Sequence, residues 1–339
     1  MGVNGMNVLI TGGAGFIGSH LTEEYLANGA NKVVVYDDFS TGTMENLEHI
    51  KDGRLKIIKG SVLDENRLNN VVQKEKINIV DHQAAELEVY TGIKDSERDA
   101  CINILGTLNV LNVALKNSIE KVLFASSGAV YGEAKYLPID EGHPLEPHWP
   151  YGVSKLSAER YVMQYHKLFG LRATAFRYGI VYGPREWFGR VLTMFIKRIF
   201  LENKPPVVFG DGSQTRDFVY VGDVVKAHML AIENSDADGQ VFNISSGKGV
   251  PIRDLAKILI EISGKKLETI YDNPAEGTAS NFQPERIRLT GELRNFVLEW
   301  GKAKKVLGWN PATDLNDGLV KEIEWILKNP RRWNTKPRV

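Results

Sequence analysis

Apolar and polar positions come in alternating blocks through the first half of the chain. Residues 7–11 (NVLIT) form a short apolar run that stops at glycines, the pattern of a buried strand. Residues 18–29 repeat apolar positions at helical spacing and close on Gly29, which predicts a helix. Valine-rich residues 32–38 and residues 55–60 predict two more strands, 68–76 a helix and 77–85 a fourth strand. Residues 100–117 predict a long helix, apolar on most sides and so buried or in an interface. A fifth strand over 121–127, a helix over 152–169 and a sixth strand over 171–179 follow.

Strand and helix patterns that alternate in this way argue for a parallel sheet covered by helices on both faces. Near residue 183 the character changes. Residues 183–190 are loop-like, 191–203 are helical, and 207–224 mix strand and turn. Residues 240–247 predict one more strand, and 252–263 and 315–328 two helices. Residues 330–339 are polar with two prolines and are expected to fray.

Composition narrows the class. The 339 residues suggest two domains, or one large domain with an added lobe. Apolar content of 43% and charged content of 25% are those of a soluble globular protein. With zero formal net charge, nothing favours a nucleic acid or an acidic membrane as partner. Cys101 is the only cysteine, which rules out an internal disulfide and a cysteine-built metal cluster and fits a reducing cytosol. No segment reads as a signal peptide or a membrane span, and Met6 stands where a myristoylation signal needs Ser or Thr. The expectation is a cytoplasmic protein. Its seven histidines show no metal-ligand spacing and read as structural; no metal site is expected.

The turn after the first strand carries the first chemistry. Gly12, Gly15 and Gly18 are spaced G-x-x-G-x-x-G between a strand and a helix. In that setting backbone N–H groups can approach a pyrophosphate at the helix N-terminus. Asp37 closes the second strand at the place where a carboxylate accepts from ribose hydroxyls and repels a 2′-phosphate, so NAD is favoured over NADP.

A second signal lies in PYGVSK, residues 150–155. On a helix Tyr151 and Lys155 share a face. An ammonium beside a phenol favours phenolate over an unperturbed pKa of about 10. Ser126 and Ser127 end the fifth strand, on the edge of a parallel sheet where ligands bind. Each signal alone is weak; the glycine turn, Asp37, the serines and the Tyr–Lys pair together define a site.

With TGGAGFIGSHL, YDDFSTG, HQAAE, NILGTLNVL, SSGAVYG, YGVSK, FRYGIVYGPR, GDGSQTRDFVYVGDV and KVLGWNP, the chain resembles the extended short-chain dehydrogenases/reductases of the NAD-dependent nucleotide-sugar epimerase/dehydratase family, UDP-hexose 4-epimerases above all. The resemblance spans nearly the whole length and thins after about residue 250. It implies an α/β fold: a Rossmann-like doubly wound parallel sheet over 1–180, with 217–247 packing back on it, and a smaller mixed α/β C-terminal substrate lobe over 181–339. It implies that Gly12, Gly15, Phe16, Ile17, Asp37, Asp38, Ser40, Gly42, Ser61, Val62, Gln83, Ala84, Ala85, Asn103, Ser126, Tyr151, Lys155 and Tyr178 hold NAD. Tyr151 would be the acid and base, Lys155 would hold the nicotinamide ribose and lower the tyrosine pKa, and Ser127 would bond the substrate hydroxyl. Glu88, Ser127, Tyr151, Arg185, Arg190, Val191, Arg216 and Arg288 would contact a UDP-sugar. A homodimer built on a four-helix bundle from helices 100–117 and 152–169 is also implied.

The family's 4,6-dehydratases follow the catalytic Ser or Thr with an Asp–Glu pair, and its decarboxylases carry a glutamate there. Here Gly128 and Ala129 follow Ser127, and neither transfers protons, which leaves epimerisation through a 4-keto sugar as the expectation. A uronate 4-epimerase, a dehydratase, reductase or dehydrogenase on the same site, and a non-catalytic NAD sensor are the alternatives. A uronate carboxylate would suit Arg185 and Arg190, against which Glu86 and Glu88 would act. The chain departs from the family pattern at Ser61, where an aspartate usually meets the adenine, and at Ile180, which replaces an asparagine; Arg286 and Arg288 compete for one arginine position.

Overall fold

The computed structural model describes residues 2–333. Its frame is a seven-stranded, all-parallel sheet made from β1 (Asn7–Thr11), β2 (Lys32–Asp37), β3 (Leu55–Lys59), β4 (Ile79–His82), β5 (Lys121–Ser127) and β6 (Ala173–Tyr178), with one late strand. Three short strands intervene: β7 (Ile180–Tyr182), β8 (Val207–Phe209) and β9 (Thr215–Tyr220). The late strand, β10 (Gln240–Ile244), then pairs in parallel with β6 at the sheet edge. The order is β10-β6-β5-β4-β1-β2-β3, so the winding reverses between β1 and β4. A crevice opens beyond the carboxyl ends of strands at such a reversal.

The central strands are buried on both faces, and for that reason they read as unbroken apolar runs. One core packs β1, β5, β6 and β10 against helices Phe16–Ala27 and Val221–Glu233. The other packs the opposite face against helices Glu65–Glu75, Gly106–Lys116 and Pro150–Phe169. This is the Rossmann-like doubly wound sheet that the sequence predicted.

The smaller lobe has a core of its own around Phe195, Leu255, Leu259, Leu319 and Ile323. Two small sheets frame it. β9 pairs in parallel with β7 and antiparallel with β11 (Gly249–Pro251), and β12 (Ile270–Asp272) pairs with β8. Helices Ile252–Ser263 and Leu315–Lys328 have the bounds that their apolar periodicity predicted.

Three differences from the sequence reading have local causes. The helix predicted over 100–117 is interrupted by a π-turn, Cys101–Leu105, that carries Asn103 inward. The strand predicted over 77–85 ends at His82: Gln83 N–H still bonds Thr11 C=O, but the chain then leaves the sheet past Gly12. Residues 330–333 do not fray. They form a turn that buries Trp333 against Phe188; residues 334–339 lie outside the described residues. Helices Val221–Glu233 and Gly301–Leu307 were not resolved by the periodicity, the first hidden in a segment that reads as strand and turn.

Candidate active site

A cavity of about 550 Å³ runs along the carboxyl ends of the strands and out between the two lobes. Its first wall is the turn after β1. A Cβ on Gly12 would stand 2.7 Å from Ala84 N, and one on Gly18 would stand 2.3 Å from Gly12 O. Only hydrogen fits at either place, so the backbone of the turn lies open at the start of helix Phe16–Ala27. At the tip of β2, Asp37 accepts hydrogen bonds from Phe39 N (2.8 Å) and Ala14 N (2.9 Å), while burial raises its pKa.

Phe16, Ile17, Asp38, Ser40, Ser61, Val62, Gln83, Ala84, Ala85, Ser126 and Tyr178 line the same cavity. Gly42 and Asn103 do not. Gly42 backs Asp37: a Cβ there would sit 2.9 Å from both carboxylate oxygens. Asn103 lies behind the wall, where it donates to Glu86 O and Ser154 Oγ and accepts from Glu86 N. Ser126 donates to Glu159 Oε2 at 2.6 Å, a carboxylate also clasped by Arg177 at 2.5 Å, so its hydroxyl is already engaged.

Helix Pro150–Phe169 begins with proline at its first turn, which needs no N–H there. That start places Tyr151 and Lys155 on the cavity wall with Ser127 of β5. Ser127 stands by the Tyr151 hydroxyl and acts on it in the direction that favours phenolate. Burial raises the phenol's pKa; Ser127 and the charge of Arg190 pull it down, and Asp99 and Glu88 push it up. Arg190 thus joins Lys155, the cation expected from the sequence, on the wall around Tyr151. The Lys155 ammonium lies 4.6 Å from the centre of the Phe124 ring. Burial lowers its pKa to about 8, against the attraction of Asp99 and Glu159.

The far end of the cavity is made by the loop after β7. Arg190 donates to Val181 O at 3.1 Å and to Glu186 at 3.4 Å, and stacks over Trp187. Trp187 in turn donates to Glu88 at 2.5 Å. Val191 and Arg216 also line the cavity, the latter bonded to Glu292 at 3.2 Å.

Two arginines expected as sugar or phosphate ligands are otherwise engaged: Arg185 lines the cavity but has its N–H groups taken, and Arg288 lies off its wall. Arg185 has φ of 74° and turns back onto the first lobe, where Glu23, His20 Nδ1 and Asn46 O take its N–H groups. A guanidinium so occupied is a strut between lobes, not a free anion clamp. His20 helps as a neutral ring, its pKa lowered to about 3 by burial and then by Arg185. Arg288 is not on the cavity wall; it donates to Asn273 Oδ1 (2.6 Å) and Pro274 O (2.9 Å).

Sequence reasoning missed three contributors. Phe296 covers Gly128 so closely that a Cβ there would lie 2.2 Å from its ring. Asp99 faces both Tyr151 and Lys155. Glu186, on the wall, meets Glu322 of helix Leu315–Lys328 in a buried carboxyl pair, and burial lifts the Glu186 pKa to about 7. The pair had a visible signal, because Glu322 interrupts the apolar face formed by Leu319, Ile323 and Ile326.

A doubly wound sheet, a glycine turn opening a helix, an acidic tip on β2 and a Ser–Tyr–Lys wall together define a dinucleotide-dependent oxidoreductase-type site of the short-chain class. The comparisons then fix the family: residues 9–322 match the family model described as GDP-mannose 4,6 dehydratase, and the chain belongs to this NAD-dependent epimerase/dehydratase family. It is 37% identical over 328 residues to a putative UDP-glucose 4-epimerase of Methanocaldococcus jannaschii, covering 96% of this chain and 99% of that one. The structure of a UDP-glucose 4-epimerase of Thermotoga maritima with UDP-glucose superposes with a TM-score of 0.86 at 36% identity, covering 96% and 100% of the two chains. That of the Thermus thermophilus UDP-glucose 4-epimerase in complex with NAD gives 0.82 at 32% identity, covering 95% and 99%. NAD is the cofactor these findings support, and the glycine cradle fits its pyrophosphate.

Proposed function

We propose that the protein is a nucleotide-sugar 4-epimerase of the UDP-glucose/UDP-galactose type. The observation that carries this reading is the closure of position 128. Elimination of water from the sugar needs an acid and a base placed after Ser127. Gly128 and Ala129 stand there, and the Phe296 ring occupies the space that a side chain at 128 would need.

Residues of this chain divide the work. Gly12, Gly15, Phe16 and Ile17 would hold the pyrophosphate, Asp37 the adenine ribose, and Lys155 the second ribose. NAD when bound accepts a hydride from the sugar and returns it. Tyr151 takes the proton of the sugar 4-hydroxyl and gives it back to the 4-keto sugar, with Ser127 bonded to the same oxygen. Working near pH 7 from a phenol of pKa about 10 needs roughly 3 units of stabilisation, or about 4 kcal/mol. Ser127 and the Arg190 charge act in that direction.

A neutral hexose suits the far end better than a uronate. Arg185 is spent on Glu23, and Arg190 is shared with Glu186 beside Glu88. The test is a panel of UDP-glucose, UDP-galactose, their N-acetyl forms and UDP-glucuronate, read by product NMR and mass. Interconversion of the 4-epimers with no mass change supports the reading; loss of water or carbon dioxide overturns it.

The protein is further proposed to be a homodimer. Leu105, Val153, Tyr161, Leu168 and Phe169 are exposed apolar side chains on the two helical segments named for a four-helix bundle. Light scattering at micromolar concentration checks this, and a monomer would refute it.

A further inference from the structure

From the cavity wall inward runs a chain of polar groups that the chemistry above does not use. Asp81 of β4 is fully buried, yet accepts from three donors. These are Tyr25 Oη (2.5 Å), Gln83 Nε2 (2.6 Å) and His228 Nδ1 (2.8 Å). A carboxylate only accepts, so His228 donates its Nδ1–H to Asp81, and in the neutral ring Nε2 is then the acceptor. The Tyr178 hydroxyl, 2.6 Å away, donates to that nitrogen. Gln83, bonded to the Asp81 carboxylate, acts on Tyr178 in the opposite direction to that charge, favouring phenolate. His228 is itself fully buried, with the Phe176 ring 4.3 Å from its own.

Tyr178 and Tyr151 both line the cavity, and an ionised Tyr151 raises the Tyr178 pKa. Their surroundings differ in balance. Tyr151 faces Ser127 and Arg190, which favour phenolate, as well as Asp99 and Glu88, which oppose it. Tyr178 faces Asp81 from β4, His228 from helix Val221–Glu233, and Tyr151 from helix Pro150–Phe169; Tyr25, from helix Phe16–Ala27, stands on the far side of Asp81.

The geometry points to a positioning role: we infer that the chain Asp81–His228–Tyr178 locks Tyr178 as a hydrogen-bonded phenol, so that Tyr151 alone of the two exchanges a proton with substrate. Environments that push two like groups apart assign the acid–base role to one of them. Burial and the Asp81 charge both hold the Tyr178 proton on, and its pKa lies well above the ordinary tyrosine value. The inference rests on Tyr151 being the acid–base group of the proposed reaction, but its test does not require turnover.

The experiment is a pH titration by NMR of the NAD-loaded protein carrying tyrosine labelled with carbon-13 at Cζ. The two resonances are assigned by their loss in Tyr151→Phe and Tyr178→Phe. In the parent protein Tyr151 is expected to ionise at lower pH than Tyr178. Asp81→Asn is expected to lower the Tyr178 midpoint by about one pH unit or more, because a buried like charge is removed. Tyr25→Phe, which touches the same carboxylate without breaking the chain, should leave it in place. A Tyr178 that ionises at or below the pH of Tyr151 in the parent protein overturns the inference whatever the variants do. So does an Asp81→Asn midpoint that stays put, or a Tyr25→Phe midpoint that moves as far. Absence of epimerase activity in product NMR would instead count against the proposed reaction, leaving the order of the two midpoints as a separate result.

Discussion

The two ends of the cavity are built by opposite means. At the glycine-turn end, backbone does the work: Gly12, Gly15 and the tips of β1, β2 and β4 form the walls, and a missing Cβ is the critical feature. At the far end, side chains do it. Arg185, Glu186, Trp187 and Arg190 come from one loop, and all but a few of their polar atoms are committed to partners. The difference teaches where each end is fragile. A backbone cradle fails when volume is added. A side-chain constellation fails when one charge loses its counterpart.

The largest effect should come where the two ends meet. Tyr151→Phe is expected to lower kcat at least 10²-fold, up to about 10⁴-fold, with NAD content unchanged, as measured by product NMR and cofactor release. Retained activity would remove the acid–base assignment for this site.

Adding volume to the cradle comes next. Gly18→Val must displace the carbonyl of Gly12, which a Cβ would approach to 2.3 Å. Overpacking of this kind costs about 1–3 kcal/mol, and NAD retention should fall at least tenfold, read by cofactor content after gel filtration and by thermal unfolding.

At the far end, Arg185→Met strands Glu23 and the buried His20 ring. Glu23 is part-exposed, so solvent screens most of its lost partner, and a cost of about 1–2 kcal/mol in denaturant unfolding is expected. NAD affinity should change less than in Gly18→Val. The reverse ranking would mean that the strut also shapes the cradle.

The smallest effect is pH-dependent. Folded Glu186 titrates at about 7, above the 4.5 of an ordinary glutamate. The stability carried by its protonated form is complete below about pH 4.5 and is lost as pH rises through 7. Glu186→Gln should therefore melt higher than the parent at pH 8, by an amount on the order of 1 kcal/mol, and differ little at pH 5. A variant less stable than the parent at pH 8 would show that the ionised pair with Arg190 outweighs the burial cost.

The cofactor end could be read from the chain because its determinants are local. A strand, a glycine turn and a helix follow one another within residues 7–27, and Asp37 ends the next strand. Buried parallel strands need apolar side chains on both faces, so their runs stand out, and Lys121–Ser127 has the bounds the pattern predicted. The far end was read less well. Arg185 and Arg190 are five residues apart in one loop, yet one is turned to helix Phe16–Ala27 and the other to Glu186 and Trp187. Nothing local separates them; φ at Arg185 and the position of Glu23 do. Phe296 and Glu322 reach the site from the last part of the chain; Glu322 shows as a break in an apolar helix face, but nothing local names Glu186 as its partner or Gly128 as that of Phe296.

By itself the sequence determined the parallel sheet, the glycine turn and the pairing of Tyr151 with Lys155 on one helix face, because each depends on residues close together in the chain. Tertiary structure alone decided that Arg190 comes to the wall beside Tyr151, what fills the space over Gly128, and which groups gather around Asp81. Those contacts join residues far apart in sequence. They exist only after loop closure has been offset by burial, and in a buried site a side chain's charge acts over distances that chain order does not record.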